Sequence, residues 1–302
     1  FVYGDTPEPQ SIRSVLDEIW AVPAGQAWEL TIRALSERSN IRELPLQTML
    51  VQLELCGLLA SRNTYYAEYQ FKYLIPSPTL LTHFEGEKQQ FVQAILNCAK
   101  QARLWYTLDF EKLSRTYPAA RSEVVTTLDY MAERGWIELE SKQLTQVYNV
   151  LVPDFDRSPL SEDLTADFQA KEVSEIARLH AMLAFFASDQ CLSQRLAAYF
   201  GDDKAPLRCG HCSVCHGQVA QLPEPAPLTS LAEQDFEALC GGLMARNRTQ
   251  RGAPVSVETL TRFLCGLTTP LLTKLKIRNL PGFAALENYP YAEVRQWVQQ
   301  KI

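Results

Sequence analysis

The residues with the most chemistry to offer in this 302-residue chain are four cysteines in the pattern Cys191-x17-Cys209-Gly210-His211-Cys212-Ser213-Val214-Cys215. Two Cys-x-x-Cys steps share Cys212, and a fourth thiol stands upstream at the start of a predicted helix. Two intervening residues let a tight turn aim successive sulfurs at one ion, and Gly210 relieves the backbone where that turn is sharpest. Four thiolates about 2.3 Å from a Zn²⁺ ion form a closed tetrahedral shell with no room for water, a structural site and not a catalytic one. An iron–sulfur cluster also takes four cysteines, but the bacterial ferredoxin run places a further Cys-Pro soon after the third, whereas His216-Gly217 follows here. Disulfides fit poorly with a chain whose other thiols look reduced. Cys56, Cys98, Cys240 and Cys265 each sit in an apolar helical context and read as small buried hydrophobes. His211 and His216 read as bystanders, His83 and His180 as ordinary lone histidines.

The elements that must position these thiols are helical. Residues 153–168 read as an acidic, proline-containing connection. A helix from about 166 to 188 follows, with Phe168, Val173, Ile176, Leu179, Met182, Leu183 and Phe186 at helical intervals. Cys191 to Tyr199 predicts a second helix. Pro223, Pro225 and Pro227 mark a semi-rigid linker.

Upstream, 8–20 predicts an amphipathic helix with Ile12, Val15, Leu16 and Ile19 on one face. A helix over 26–38 and another carrying Leu46, Met49, Leu50 and Leu53 come next. The second ends near Gly57, and two strands are expected on either side of Asn63-Thr64. Tyr65, Ala67, Tyr69, Phe71 and Tyr73 alternate onto one strand face. The grammar recurs: a helix over 87–103, a short one capped by Asp109, a helix with Val125, Leu128 and Met131 ended by Gly135, then a hairpin around Ser141-Lys142. Leu50, Leu53, Gly57 and Leu59 superpose without gaps on Leu128, Met131, Gly135 and Ile137. A helix that ends in glycine and turns into a two-stranded ribbon predicts a winged helix, and the repeat predicts two of them. The fold class is thus mainly α with small β-hairpins (α+β).

The stretch Phe185-x5-Cys191-x7-Tyr199-Phe200-Gly201-Asp202-x6-Cys209-Gly210-x-Cys212-x2-Cys215 resembles the zinc-binding segment of RecQ-type DNA helicases. That likeness covers about 50 residues and includes Tyr199-Phe200-Gly201 as well as four thiols. It implies Cys191, Cys209, Cys212 and Cys215 as zinc ligands, with winged-helix contacts to duplex DNA. It also implies a cytoplasmic, nucleoid-associated setting in DNA repair and recombination. Two winged units before the zinc segment depart from the usual family order, in which one follows it. No G-x-x-x-x-G-K-[ST] loop or D-E-x-H box occurs, so ATP and Mg²⁺ would belong to an upstream motor, and no catalytic residue is expected here. The opening Phe-Val-Tyr-Gly-Asp-Thr-Pro reads as the exit from that motor.

On this reading, 1–24 is the tail of the motor, 25–85 and 86–152 are winged helices, and 153–217 is the helical zinc segment. Residues 218–228 are a linker, and 229–302 a basic helical module resembling a helix-turn-helix. The chain as a whole carries a net charge of −6, but 241–302 holds nine Lys/Arg against three acids. A basic module on an acidic body points to nucleic acid. The candidate DNA contacts are Arg62, Tyr65 and Tyr66 at the first wing tip, and Arg115, Arg121 and Lys142 at the second. Arg246, Arg248 and Arg251 are expected on a loop, with Lys274, Lys276 and Arg278 on the helix opened by Thr269-Pro270. Duplex, fork or junction DNA and an upstream motor are the expected partners, and no apolar run is long enough for a membrane span. A stand-alone winged-helix regulator with a metal–thiolate switch is the competing reading.

Overall fold

The computed structural model describes residues 2–223 and 227–302; Phe1 and Pro225, used above, lie outside the described residues. The regular elements run α1 Pro9–Trp20, β1 Ala27–Leu30, α2 Ile32–Ser39, α3 Glu43–Leu55, β2 Leu59–Tyr73, α4 Ser77–Leu81, α5 Gly86–Asn97, β3 Ala99–Ala102, β4 Trp105–Leu108. They continue with α6 Phe110–Thr116, α7 Arg121–Glu133, β5 Ile137–Val150, α8 Arg157–Phe186, α9 Leu192–Tyr199, α10 Phe236–Arg251, α11 Val257–Leu264, α12 Pro270–Lys274 and α13 Tyr291–Gln299. The chain folds as two compact units. One comprises Val22–Ile32 and Cys56–Val152; the other comprises the chain up to Ala21, Arg33–Leu55 and Pro153–Ile302.

The first of these is built on a five-stranded antiparallel sheet of order β1-β5-β2-β4-β3. Its spine is the pairing of β2 with β5, from Leu59 opposite Val150 to Tyr73 opposite Ile137. Neither expected hairpin forms. Asn63-Thr64 lacks the glycine that a two-residue turn needs at positive φ, so β2 runs straight through with a bulge between Ser61 and Asn63. Gln143 takes φ 57° without breaking β5. The repeat itself is visible: two 13-residue helices, α3 and α7, each pass through a positive-φ glycine (Gly57 at 75°, Gly135 at 72°) into a long strand. Each strand then takes the other as partner.

Alternation places the aromatics as read from the sequence. Tyr69 and Phe71 are buried with Leu80, Ile95, Leu128, Met131 and Ile137, and Tyr73 and Tyr106 pack against them. Two helices were overdrawn. Residues 27–30 form β1, because Trp28 and Leu30 are buried on either side of exposed Glu29. The 87–103 helix stops at Asn97, and 99–108 forms the β3–β4 hairpin, turning at Arg103 with φ 59°. Asp109 does cap α6, its side chain accepting from the Lys112 amide at 3.0 Å.

In the other unit α1 buries Ile12, Val15, Leu16 and Ile19 completely and lies against α8. Arg157 pins the pair, bonded to Asp17 at 2.5 Å and lying 4.4 Å from the Trp20 ring. The expected connection over 153–168 is mostly helix: Asp156 caps α8, and Pro159 is tolerated in its first turn. Downstream, α10 to α13 enclose a core of Cys240, Leu243, Phe263, Leu264, Leu272, Val294 and Val298. Burial pushes the Cys240 thiol up to about 12 and that of Cys265 to about 11. Cys56 differs from expectation in being exposed.

The 229–302 segment is fastened to the start of the chain by buried polar contacts. Arg262 is 3% exposed; it donates to Glu8 at 3.3 Å and to the Thr6 carbonyl at 2.5 Å. Arg42 donates twice to the Thr268 carbonyl, and Tyr3 stacks on Tyr291 at 4.0 Å. Gly282 packs so closely that a Cβ there would fall on the Leu239 carbonyl. Gly282→Ala should therefore cost this unit about 1–3 kcal/mol by overpacking, read from denaturant unfolding against a surface Ala control.

Candidate metal centre and nucleic-acid surface

Cys191 is the N-cap residue of α9 and the buried member of the four, at 6% exposure. The other three lie on the loop after α9. All four Sγ atoms lie within 4.8 Å of one another, with Cys209–Cys215 and Cys191–Cys212 each at 3.9 Å. A tetrahedron with Zn–S of about 2.3 Å has edges of about 3.8 Å, so the donor set fits zinc. The sulfurs are much too far apart for a disulfide, whose S–S length is about 2.05 Å.

The loop is folded to favour thiolates. The amides of His211 and Cys212 donate to Cys209 Sγ at 3.4 and 3.2 Å, that of Cys215 to Cys212 Sγ at 3.4 Å, and that of Cys209 to Cys191 Sγ at 3.3 Å. Gly210, at φ 75°, makes the turn possible. A hydrogen bond from the Ser193 side chain, followed by the His211 amide, brings the Cys209 thiol down to about 5. The Cys215 amide lowers Cys212. At Cys215 the Gly210 amide acts downward, but lost hydration and the neighbouring sulfurs together raise it. His211 Nδ1 donates to the Cys209 carbonyl at 2.9 Å.

Little else holds this hairpin together. α9 has no buried residue, and Tyr199 and Phe200 are 80% and 77% exposed. The α8 stripe expected to face inward is buried only at Phe168; Val173, Leu179, Met182, Leu183 and Phe186 are exposed. An amphipathic stripe signals a face suited to burial without supplying the element that covers it.

The candidate DNA contacts sort by what already occupies them. Arg62, at the β2 bulge, is exposed. Tyr65 donates to Glu29 at 2.6 Å, and Tyr66 meets Tyr69 edge-on. Both belong to mid-strand and not to a wing tip. Arg115 pairs with Glu111, and Lys142 with Glu140 and Gln70. Arg121 donates to the Tyr66 and Ala67 carbonyls and lies 3.7 Å from the Phe110 ring. Arg246, Arg248 and Arg251 lie on α10, not on a loop, because the helix continues to the Gly252 cap. Arg246 is spent on the Leu275 and Lys276 carbonyls at 2.8 and 2.9 Å. α12 ends at Lys274, and Lys276 follows at φ 52°, so the three cations do not share one recognition helix. Arg248, Arg251, Lys274, Lys276 and Arg278 are exposed. Among the described residues, no ion pair or side-chain hydrogen bond holds any of the five.

Sequence reading missed Arg42 and Arg262. The signal, a lone cation inside the apolar run Leu260-Thr261-Arg262-Phe263-Leu264, is faint. No described helix is long and apolar enough to cross a membrane.

Neither the curated proteins nor the solved structures yielded a match to this chain. The family model described as RecQ zinc-binding matches residues 157–216, a span that runs from the start of α8 through all four clustered cysteines. The chain therefore carries, over these residues, a RecQ C-terminal zinc-binding region.

Proposed function

We propose that this chain is a DNA-contacting accessory region of a RecQ-like ATP-dependent helicase. In this reading it holds duplex or junction DNA while motor domains elsewhere in the protein pull on one strand. Cys191, Cys209, Cys212 and Cys215 hold a structural Zn²⁺ that shapes the α8–α9 hairpin. DNA contact falls chiefly to the 229–302 module. The observation that carries this is the set of five exposed cations, Arg248, Arg251, Lys274, Lys276 and Arg278, that have no partner among the described residues and lie in the same compact unit as the four-cysteine cluster.

Of the five, Arg248, Lys276 and Arg278 are assigned to duplex phosphate, and three such contacts give a log–log salt slope of about −2.7, at roughly −0.9 per contact. Changing all five residues to Gln should flatten that slope and abolish most binding of a labelled duplex, as measured by fluorescence anisotropy over a salt series. An unchanged slope would move the contacts to another surface and sink the assignment of this module. The paired side chains Arg115, Lys142 and Arg246 should contribute little, since each would have to leave an existing partner.

A further inference from the structure

We propose that the seam between α2 and the ends of α10 and α12 is a groove for one strand of nucleic acid. This rests on the DNA contact proposed above and gives it a location and a strandedness. Two cavities of 420 and 410 Å³ meet there, sharing Arg38, Asn40, Arg251 and Leu271. Lys274 lines the first, and Asn247 lines the second. Thus two of the five partnerless cations flank a concave track, while Arg248, Lys276 and Arg278 line neither cavity.

The carboxylates on the walls are already engaged. Glu37 pairs with Arg33 at 3.1 Å, and Glu8 holds Arg262 and Thr259. Arg38 is neutralised by Glu18, with N–O distances of 3.2 and 2.7 Å, so the net field in the groove comes from Arg251 and Lys274. Asn247 is 3% exposed. Its Nδ2 donates to the Ala253 carbonyl at 2.8 Å, but its Oδ1 is buried without any donor.

A duplex is stiff and convex, and its base edges stay inside its own grooves, so it reaches only the rim. A flexible single strand can follow a cationic groove with its backbone and turn a base inward. No aromatic side chain lines either cavity, so binding here should depend on charge more than on stacking.

The test compares a labelled oligothymidylate with a labelled duplex, using wild type, the groove variant Arg251→Gln/Lys274→Gln and the rim variant Arg248→Gln/Lys276→Gln/Arg278→Gln. The groove variant should weaken single-strand binding about tenfold and cut its salt slope by about 1.4, at roughly 0.7 per phosphate. Its duplex affinity should change by less than about twofold, because the rim carries that contact. Equal losses on both substrates, or no loss on either, would overturn the groove. Wild type that binds the duplex but not the single strand would overturn it alone; wild type that binds neither would remove the functional reading as well.

Discussion

Cys212→Ser is expected to abolish stable zinc retention and unfold the α8–α9 hairpin beyond Phe168 while leaving the five-stranded sheet unit intact. Cys212 sits between both Cys-x-x-Cys steps, its sulfur 3.9 Å from that of Cys191 and bonded to the Cys215 amide. Its loss leaves three thiolates and an open position. Metal affinity should fall by more than the roughly 10–100-fold typical of losing an outer-shell partner. Within α9 no side chain is buried that could stabilise the hairpin in the ion's place. In small metal-dependent units the free energy of metal binding is the free energy of folding. Metal analysis of the purified variant and hydrogen exchange along 169–217 read the two effects. A wild type without zinc, or a variant with unchanged protection over those residues, would defeat the assignment.

The second large effect is expected from Glu8→Ala. The Glu8 and Arg262 side chains are 11% and 4% exposed, with N–O at 3.3 Å, and Thr259 Oγ1 also donates to Glu8 at 2.9 Å. Among the described residues, Arg262 Nε already lacks a partner. Removing the carboxylate strands a buried guanidinium, a change that costs about 3–5 kcal/mol where it has been measured in proteins. Replacing the pair by Glu8→Leu/Arg262→Met should recover most of that loss, because the desolvation penalty disappears with the charge. Unfolding should be followed by hydrogen exchange in α11 and α13, since a chain of two compact units need not melt in one step. A cost below about 1 kcal/mol would mean that water reaches the pair.

What was legible in the sequence was local. The α1 stripe, the Asp109 and Thr269 caps and the positive-φ glycines at 57, 135 and 210 each depend on residues within one or two turns of each other, and the structure shows them. The same holds for the cysteine cluster, where three of four sulfurs come from seven consecutive residues. Errors arose where a short alternation hid inside a helical pattern, as at Trp28-Glu29-Leu30, or where a helix was extended past a hairpin, as at 99–103.

The amino-acid sequence by itself determined the four-cysteine cluster, the buried face of α1 and the excess of positive charge over 241–302. Those properties are set by nearest neighbours along the chain. Only the tertiary structure decided that β2 pairs with β5 and not with itself, and that Arg246 and Arg262 are consumed inside the fold while Arg251 and Lys274 line a cavity with no partner among the described residues. A strand's hydrogen-bonding edge accepts any extended partner, and a cation's availability depends on which carbonyls and carboxylates the folded chain brings beside it. Neither is encoded in spacing.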